Sequence, residues 1–241
     1  MQALYAFYQS EEKDIVRGEK ELFTSIEKIY DLYLYLLTLL PAIKFTAEKI
    51  VEENKNKKLH SSIENNPNLK FINNPIFSKI ENSAVIKKLA QEKNISWQNE
   101  FELLRDLLAN IKNTEEFSEY MKSEENSFLH HKDFIITVYK YYISNFESLE
   151  QFLENKSIHW ADDTGLVNSI LLKTILNMIE AEDVQLVPLY KNEEDDRAFA
   201  ADLFRKVIVH DADNMVYISN KTRNWDVDRI AMMDVLLMKM A

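Results

Sequence analysis

Apolar residues recur at three- and four-residue spacing along most of this chain, and almost nowhere in strict alternation. From Glu21 onward, Leu22, Ile26, Ile29, Tyr30, Tyr33, Leu36, Leu37 and Leu40 trace the face of an amphipathic helix. Pro41 separates this run from Ile43, Phe45, Ile50 and Val51, and either starts a new helix or kinks a continuous one. The same periodicity predicts helices over about 76–94, 97–112, 128–144 and 146–155. An apolar run over 166–179 follows Asp162-Asp163-Thr164, and further helices are expected near 193–210, 211–220 and 227–241. Thr114-Glu115-Glu116 reads as a cap and acidic first turn ahead of Phe117, Tyr120 and Met121. Residues 53–75, rich in Lys and Asn and containing Asn66-Pro67 and Asn74-Pro75, form the clearest loop. Glu11–Lys20 is charged, contains Gly18, and reads as a hinge or a helix start. Val184–Tyr190 is the one candidate extended piece, and Pro188 keeps it from being a central strand.

The two ends lack boundary signals. Asn224-Trp225-Asp226-Val227-Asp228 begins as a capped helix, but the run through Leu236, Leu237, Met238 and Met240 reaches Ala241 without Gly, Asn or Pro to close it. Met1–Tyr8 likewise starts in mid-pattern, with no N-cap. Both ends predict a chain cut inside its core, and hence a fragment prone to self-association.

A gap-free comparison shows an internal repeat. Phe134 and Phe199 are 65 positions apart, as are Trp160 and Trp225. Between them Lys140 matches Arg205, Ile143 matches Ile208, Phe152-Leu153 matches Tyr217-Ile218, and Asn155-Lys156-Ser157 matches Asn220-Lys221-Thr222. The expected organisation is an N-terminal helical segment with an insertion over 1–130. A helical bundle over 131–241 follows, with the repeat at 134–174 and 199–239.

Composition sharpens the fold class. In 241 residues there are two glycines and four prolines, too few for the tight turns of a sheet, so the expectation is all-α. Apolar content of 46% and charged content of 29% are those of a folded globular protein. With no cysteine, disulfides and thiolate metal sites are excluded, which fits a reducing compartment. No signal peptide is evident. No charge-free apolar run approaches the ~20 residues of a membrane span, and a cytoplasmic location is the default. The formal net charge of −11 opposes broad affinity for nucleic acid, which requires a basic footprint.

Candidate chemistry is sparse. His130 and His131 are neighbours and would diverge by about 100° on a helix, a poor geometry for one metal. His159 with Asp162 and Asp163, and His210 with Asp211 and Asp213, fall at helix boundaries where Asp is expected as a cap. No phosphate-cradling glycine loop, His-Glu-x-x-His or Gly-x-Ser-x-Gly is present, so no catalytic residue, metal or cofactor is predicted. The tyrosines, Tyr30, Tyr33 and Tyr35 in one helix and Tyr139, Tyr141 and Tyr142 in another, fit a core more readily than a base-stacking surface.

The ends carry a resemblance. Gln2-Ala3-Leu4-Tyr5 with Phe7-Tyr8-Gln9-Ser10 looks like the first helix of the NusB transcription antitermination family. Asp202-Leu203-Phe204, Asn224-Trp225, Asp228-Arg229-Ile230-Ala231 and the run Asp234–Ala241 resemble that family's central helices. Close matching covers about 1–10 and 198–241. The acidic, aromatic middle is similar to that of enlarged Bacteroidetes-type members, so the chain resembles such a member truncated at both ends. The resemblance implies packed all-α bundles with a large helical insertion. It further implies noncatalytic binding of boxA-type RNA together with ribosomal protein NusE, on the RNA polymerase elongation complex, promoting antitermination of ribosomal RNA transcription. Tyr5 matches a first-helix Tyr near the RNA in that family, and Lys239 stands where a helix Arg is usual. Asp234 is followed by Val235 in place of the usual Arg. Two other readings remain open: a helical adaptor that binds protein through its acidic middle, and the NusB-like domain of an RNA cytosine methyltransferase. The catalytic Cys of the latter is missing here.

Overall fold

The computed structural model describes residues 1–55, 68–222 and 229–241. Among these it holds twelve α-helices and no strand, so the fold is all-α. In chain order the helices are α1 (Gln2–Gln9), α2 (Ile15–Lys55), α3 (Pro75–Asn82), α4 (Ala84–Glu92), α5 (Phe101–Lys112) and α6 (Glu115–Lys122). They continue as α7 (Phe128–Val138), α8 (Glu147–Lys156), α9 (Thr164–Leu176), α10 (Glu193–Val209), α11 (Asp211–Lys221) and α12 (Met232–Met240). A π-helical turn, Tyr139–Ile143, extends α7, and a 3₁₀ turn, Ile158–Trp160, precedes α9. No described helix is long and apolar enough to cross a membrane.

The chain divides into two compact units. The larger is Lys28–Val187; the smaller joins Met1–Glu27 to Pro188–Ala241. The boundary expected after residue 130 falls inside α7, within the larger unit. Contact and not sequence order sets the division, because both ends of the chain enter one small core.

In the larger unit the organising element is the apolar stretch of α2. Leu32 to Leu37, Leu39, Leu40 and Ile43 are all buried, so the helix is covered on every side, as a central core helix must be. Pro41 neither starts nor ends it: α2 runs through as one 41-residue helix. Tyr33 Oη and Thr174 Oγ1 of α9 are hydrogen-bonded at 2.8 Å, and the Trp97 and Trp160 indoles donate to the Tyr35 and Lys28 carbonyls at 3.0 and 2.9 Å. Tyr33, Tyr35 and Tyr139 are thus core residues, as expected, whereas Tyr141 is exposed. The helix expected over 76–94 is two helices. Ser83 breaks it with extended backbone and caps α4, its Oγ accepting from the Ile86 amide at 3.4 Å. Likewise α5 begins at Phe101, and Trp97 precedes it with its ring packed on Tyr35, centroids 4.2 Å apart and planes tilted by 39°. Thr114 caps α6 through its Oγ1, accepting from the Phe117 amide at 3.1 Å. Val184–Tyr190 forms no strand; Val184 is buried, and the Val187 amide donates to Tyr33 Oη.

In the smaller unit Leu4 and Phe7 of α1 meet Phe204 and Val207 of α10 and Leu236 of α12. Of the hinge or helix start expected over Glu11–Lys20, the structure has the helix start: Gly18 lies in the first turn of α2, capped by Asp14, whose Oδ1 accepts from the amides of Val16 and Arg17 at 2.9 and 3.2 Å. A Cβ on Gly18 would lie 2.8 Å from Phe204 Cζ and 3.0 Å from Phe7, so close packing rather than backbone freedom calls for glycine here. α12 begins at Met232, later than expected, and the Asn224–Asp228 cap lies outside the described residues.

Helix boundaries in the two halves of the repeat fall in step. Ser127 and Asn192, 65 positions apart, are the N-caps of α7 and α10, and each accepts from the amide three residues on. α8 and α11 end at Lys156 and Lys221, also 65 apart. Tyr139 and Phe204, Leu153 and Ile218, and Leu171 and Leu236 are equivalent and all buried. Phe134 and Phe199 differ: the first is 6% exposed and stacked on Tyr120, the second 69% exposed. Trp225 lies outside the described residues.

Candidate nucleic-acid interface

The two residues matched to RNA contact both belong to the smaller unit, and they stand in opposite circumstances. Tyr5 sits on the outward side of α1, 40% exposed, one position after buried Leu4 and two before buried Phe7. Its ring is open to a base or a partner side chain.

Lys239 is engaged internally. Its side chain is 8% exposed, its Nζ donates to Asp211 Oδ1 at 2.6 Å, and the ammonium lies 5.1 Å from the Tyr8 ring centroid. Tyr8 Oη donates to the same carboxylate oxygen at 2.5 Å. The triad ties α1, α11 and α12 together. Burial alone would raise the Asp211 pKa, but hydrogen bonds from Lys239 and Tyr8 and the charge of Lys239 outweigh it, so the carboxyl titrates below its usual range. Burial, followed by the bond to Asp211 and its charge, raises the Tyr8 phenol. Lys239, which stands where a helix Arg is usual in the resembling family, is thus engaged by Asp211 and holds α12 to α11.

Several other cations of this unit are engaged as well. Arg205 makes a bidentate pair with Glu19 at 2.6 and 2.9 Å, Lys206 pairs with Asp202 at 3.0 Å, and Arg17 lies 3.3 Å from Glu12. Lys13 donates to the Phe7 and Tyr8 carbonyls at the end of α1. Arg197 lies over Phe23, 4.2 Å from the centroid, and 3.7 Å from Glu27. The surplus of acid, 40 Asp and Glu against 29 Lys and Arg, supplies the carboxylates of these pairs.

The histidine groups do not assemble. His210 Nδ1 lies 3.7 Å from Asp213, both well exposed, and no set of three metal-ligating side chains occurs among the described residues. Sequence reasoning missed a buried polar network in the larger unit. Asn74, fully buried, donates through Nδ2 to Tyr120 Oη and to the His131 carbonyl, each at 3.1 Å, and Tyr120 Oη lies 2.7 Å from His131 Nδ1. Burial, with electrostatic repulsion from Lys70 and then His130 adding to it, lowers the His131 pKa and favours the neutral ring. The sequence placed Asn74 only in the 53–75 loop; that it caps α3 and links Tyr120 to His131 was not legible, because nothing local requires it.

No family model, curated protein or solved structure matches the chain.

Proposed function

We propose that this chain is a noncatalytic helical protein of the NusB antitermination type, acting on boxA-type RNA together with ribosomal protein NusE. One observation carries the reading. The two stretches that resemble the family, about 1–10 and 198–241, lie at opposite ends of the sequence yet share one core through Leu4, Phe7, Phe204, Val207 and Leu236. The intervening Lys28–Val187 folds as a unit with its own core, as an insertion would. Tyr5 is the candidate RNA contact, and the pairing of the nearby cations makes the affinity weak in isolation and dependent on NusE.

Fluorescence anisotropy with labelled boxA RNA tests this. Binding should appear or strengthen at least tenfold when NusE is added, weaken with Tyr5→Ala, and show a shallow salt dependence. A mixture of the full chain and NusE that does not distinguish boxA from scrambled RNA overturns the reading.

A second reading has its own observation. Phe199, Val209, Val216 and Tyr217 on α10 and α11 are each more than 60% exposed, and apolar residues in such numbers suit a protein partner. An adaptor would retain its partner from the transcription machinery after nuclease treatment.

A further inference from the structure

The larger unit carries a cleft that the RNA reading does not use. It encloses about 320 Å³ and is lined by Lys70, His131, Ser123 and three asparagines, Asn68, Asn73 and Asn126, with Met121 beside them. None of these is acidic, in a chain with a formal net charge of −11. The volume lies at the small end of the ~300–1,000 Å³ typical of small-molecule sites.

Its floor is built, and the hydrogen bonds fix what it offers. Asn74 Nδ2 donates to Tyr120 Oη, so the phenol's single proton must go elsewhere. Tyr120 Oη also lies 2.7 Å from His131 Nδ1 and 3.4 Å from the Lys70 carbonyl, so the network closes with either ring nitrogen of His131 protonated. His131, only 7% exposed, lines the cleft and keeps its second ring nitrogen, Nε2, outside this network. Lys70 Nζ donates to the carbonyls of Ser123 and Glu125 at 2.7 and 2.8 Å, which leaves one of its three N–H groups free. Ser123 Oγ accepts from the Glu125 amide and keeps its own proton to donate. The side-chain amides of Asn73 and Asn126 make no hydrogen bond to the described residues. Asn68 is spoken for: it donates to the Met121 carbonyl and accepts from the Lys70 amide.

The groups lining the cleft are therefore donors of several kinds around one ammonium; the Glu125 carboxylate acts on Lys70 but does not line the cleft. Such a set is matched by the several acceptor oxygens and the charge of a phosphate. We propose that this cleft binds a phosphoryl group, whether as free phosphate, on a mononucleotide or on an RNA strand. The site is independent of boxA recognition and of NusE.

The test is NMR titration of the full chain at constant ionic strength, following the His131 ring and the Lys70 and Ser123 amides. The probes are inorganic phosphate, adenosine 5′-monophosphate and a short single-stranded RNA of scrambled sequence, with chloride as the control. Saturable shifts at these three residues are expected with phosphate, and the probe that saturates lowest identifies the source of the phosphoryl group. Asn73→Asp combined with Asn126→Asp places carboxylates at two exposed rim positions without touching the buried network. It should weaken binding at least tenfold at unchanged melting temperature, whereas Asn110→Asp, on exposed α5 surface, should leave it unchanged. Shifts that fail to saturate, RNA binding that leaves His131 and Lys70 unmoved, or equal binding by the double variant would each overturn the proposal. Because no arm contains boxA or NusE, its failure is distinct from failure of the antitermination reading.

Discussion

Asp211 shows how one side chain sets both stability and availability. Its low pKa arises from Lys239 and Tyr8, so the folded state holds the ionised form better than the unfolded chain does. The sign follows: the contribution is complete above the ordinary carboxylate range, and it is lost as pH falls through the lowered folded value. Asp211→Asn should therefore melt lower than wild type at pH 7, with the gap closing toward pH 3, as circular dichroism at the two pH values would show. Gly18 makes the complementary case. Ala is the better helix former by roughly 1 kcal/mol, yet its Cβ would press on the Phe204 and Phe7 rings. Overpacking costs about 1–3 kcal/mol, so Gly18→Ala should destabilise, and Phe204→Leu in the same chain should recover part of the loss on urea denaturation. Gly18 was visible in the sequence; the rings that need its missing Cβ come from α1 and α10, and no local pattern announces them.

At the scale of elements, helix existence was legible and helix boundaries were less so. Periodicity located nearly every helix because each buries an apolar stripe, and caps with a free hydroxyl or amide, such as Thr114, could be read directly. Ser83 was overlooked because the apolar pattern continues across it from Ile80 to Ile86, both buried. Pro41 was ambiguous for the opposite reason: a proline normally argues for a break, but the buried stretch on both sides of it holds α2 together. A proline in a helix interior costs about 3 kcal/mol relative to Ala. Pro41→Ala should accordingly raise the melting temperature, and no change or a fall would mean that the ring's packing outweighs the helix it strains. The repeat behaves similarly. Its caps and buried positions coincide after a shift of 65, but Phe134 and Phe199 do not, because Phe134 stacks on Tyr120 and Phe199 has no such cover.

For the whole molecule the division into units carries the consequence. The larger core gathers residues from Leu32 to Val184, while the smaller depends on a few side chains contributed by both ends of the chain. Hydrogen exchange should therefore protect the Leu32–Ile43 amides of α2 more strongly than those of α10 and α12. Leu236→Ala removes a 1% exposed side chain from the small core, at a cost of about 2–5 kcal/mol. It should loosen α1, α10 and α12 together while leaving exchange in the larger unit unchanged; a uniform loss across both units would show that they unfold as one. The same division separates the two functional proposals, since Tyr5 and the phosphoryl cleft lie in different units.

The sequence by itself determined the all-α class, through helical periodicity and the scarcity of glycine, and its terminal stretches carry the resemblance on which the antitermination proposal rests. Only the tertiary structure decided that these stretches share a core, that Lys239 is consumed by Asp211, and that Asn74, Tyr120 and His131 form one network. The physical reason is the range of the interactions. A helix is specified by hydrogen bonds and apolar spacing within a few residues, so its signal is local. A charge is free or spent, and a histidine proton lies on one nitrogen or the other, according to partners tens to hundreds of positions away.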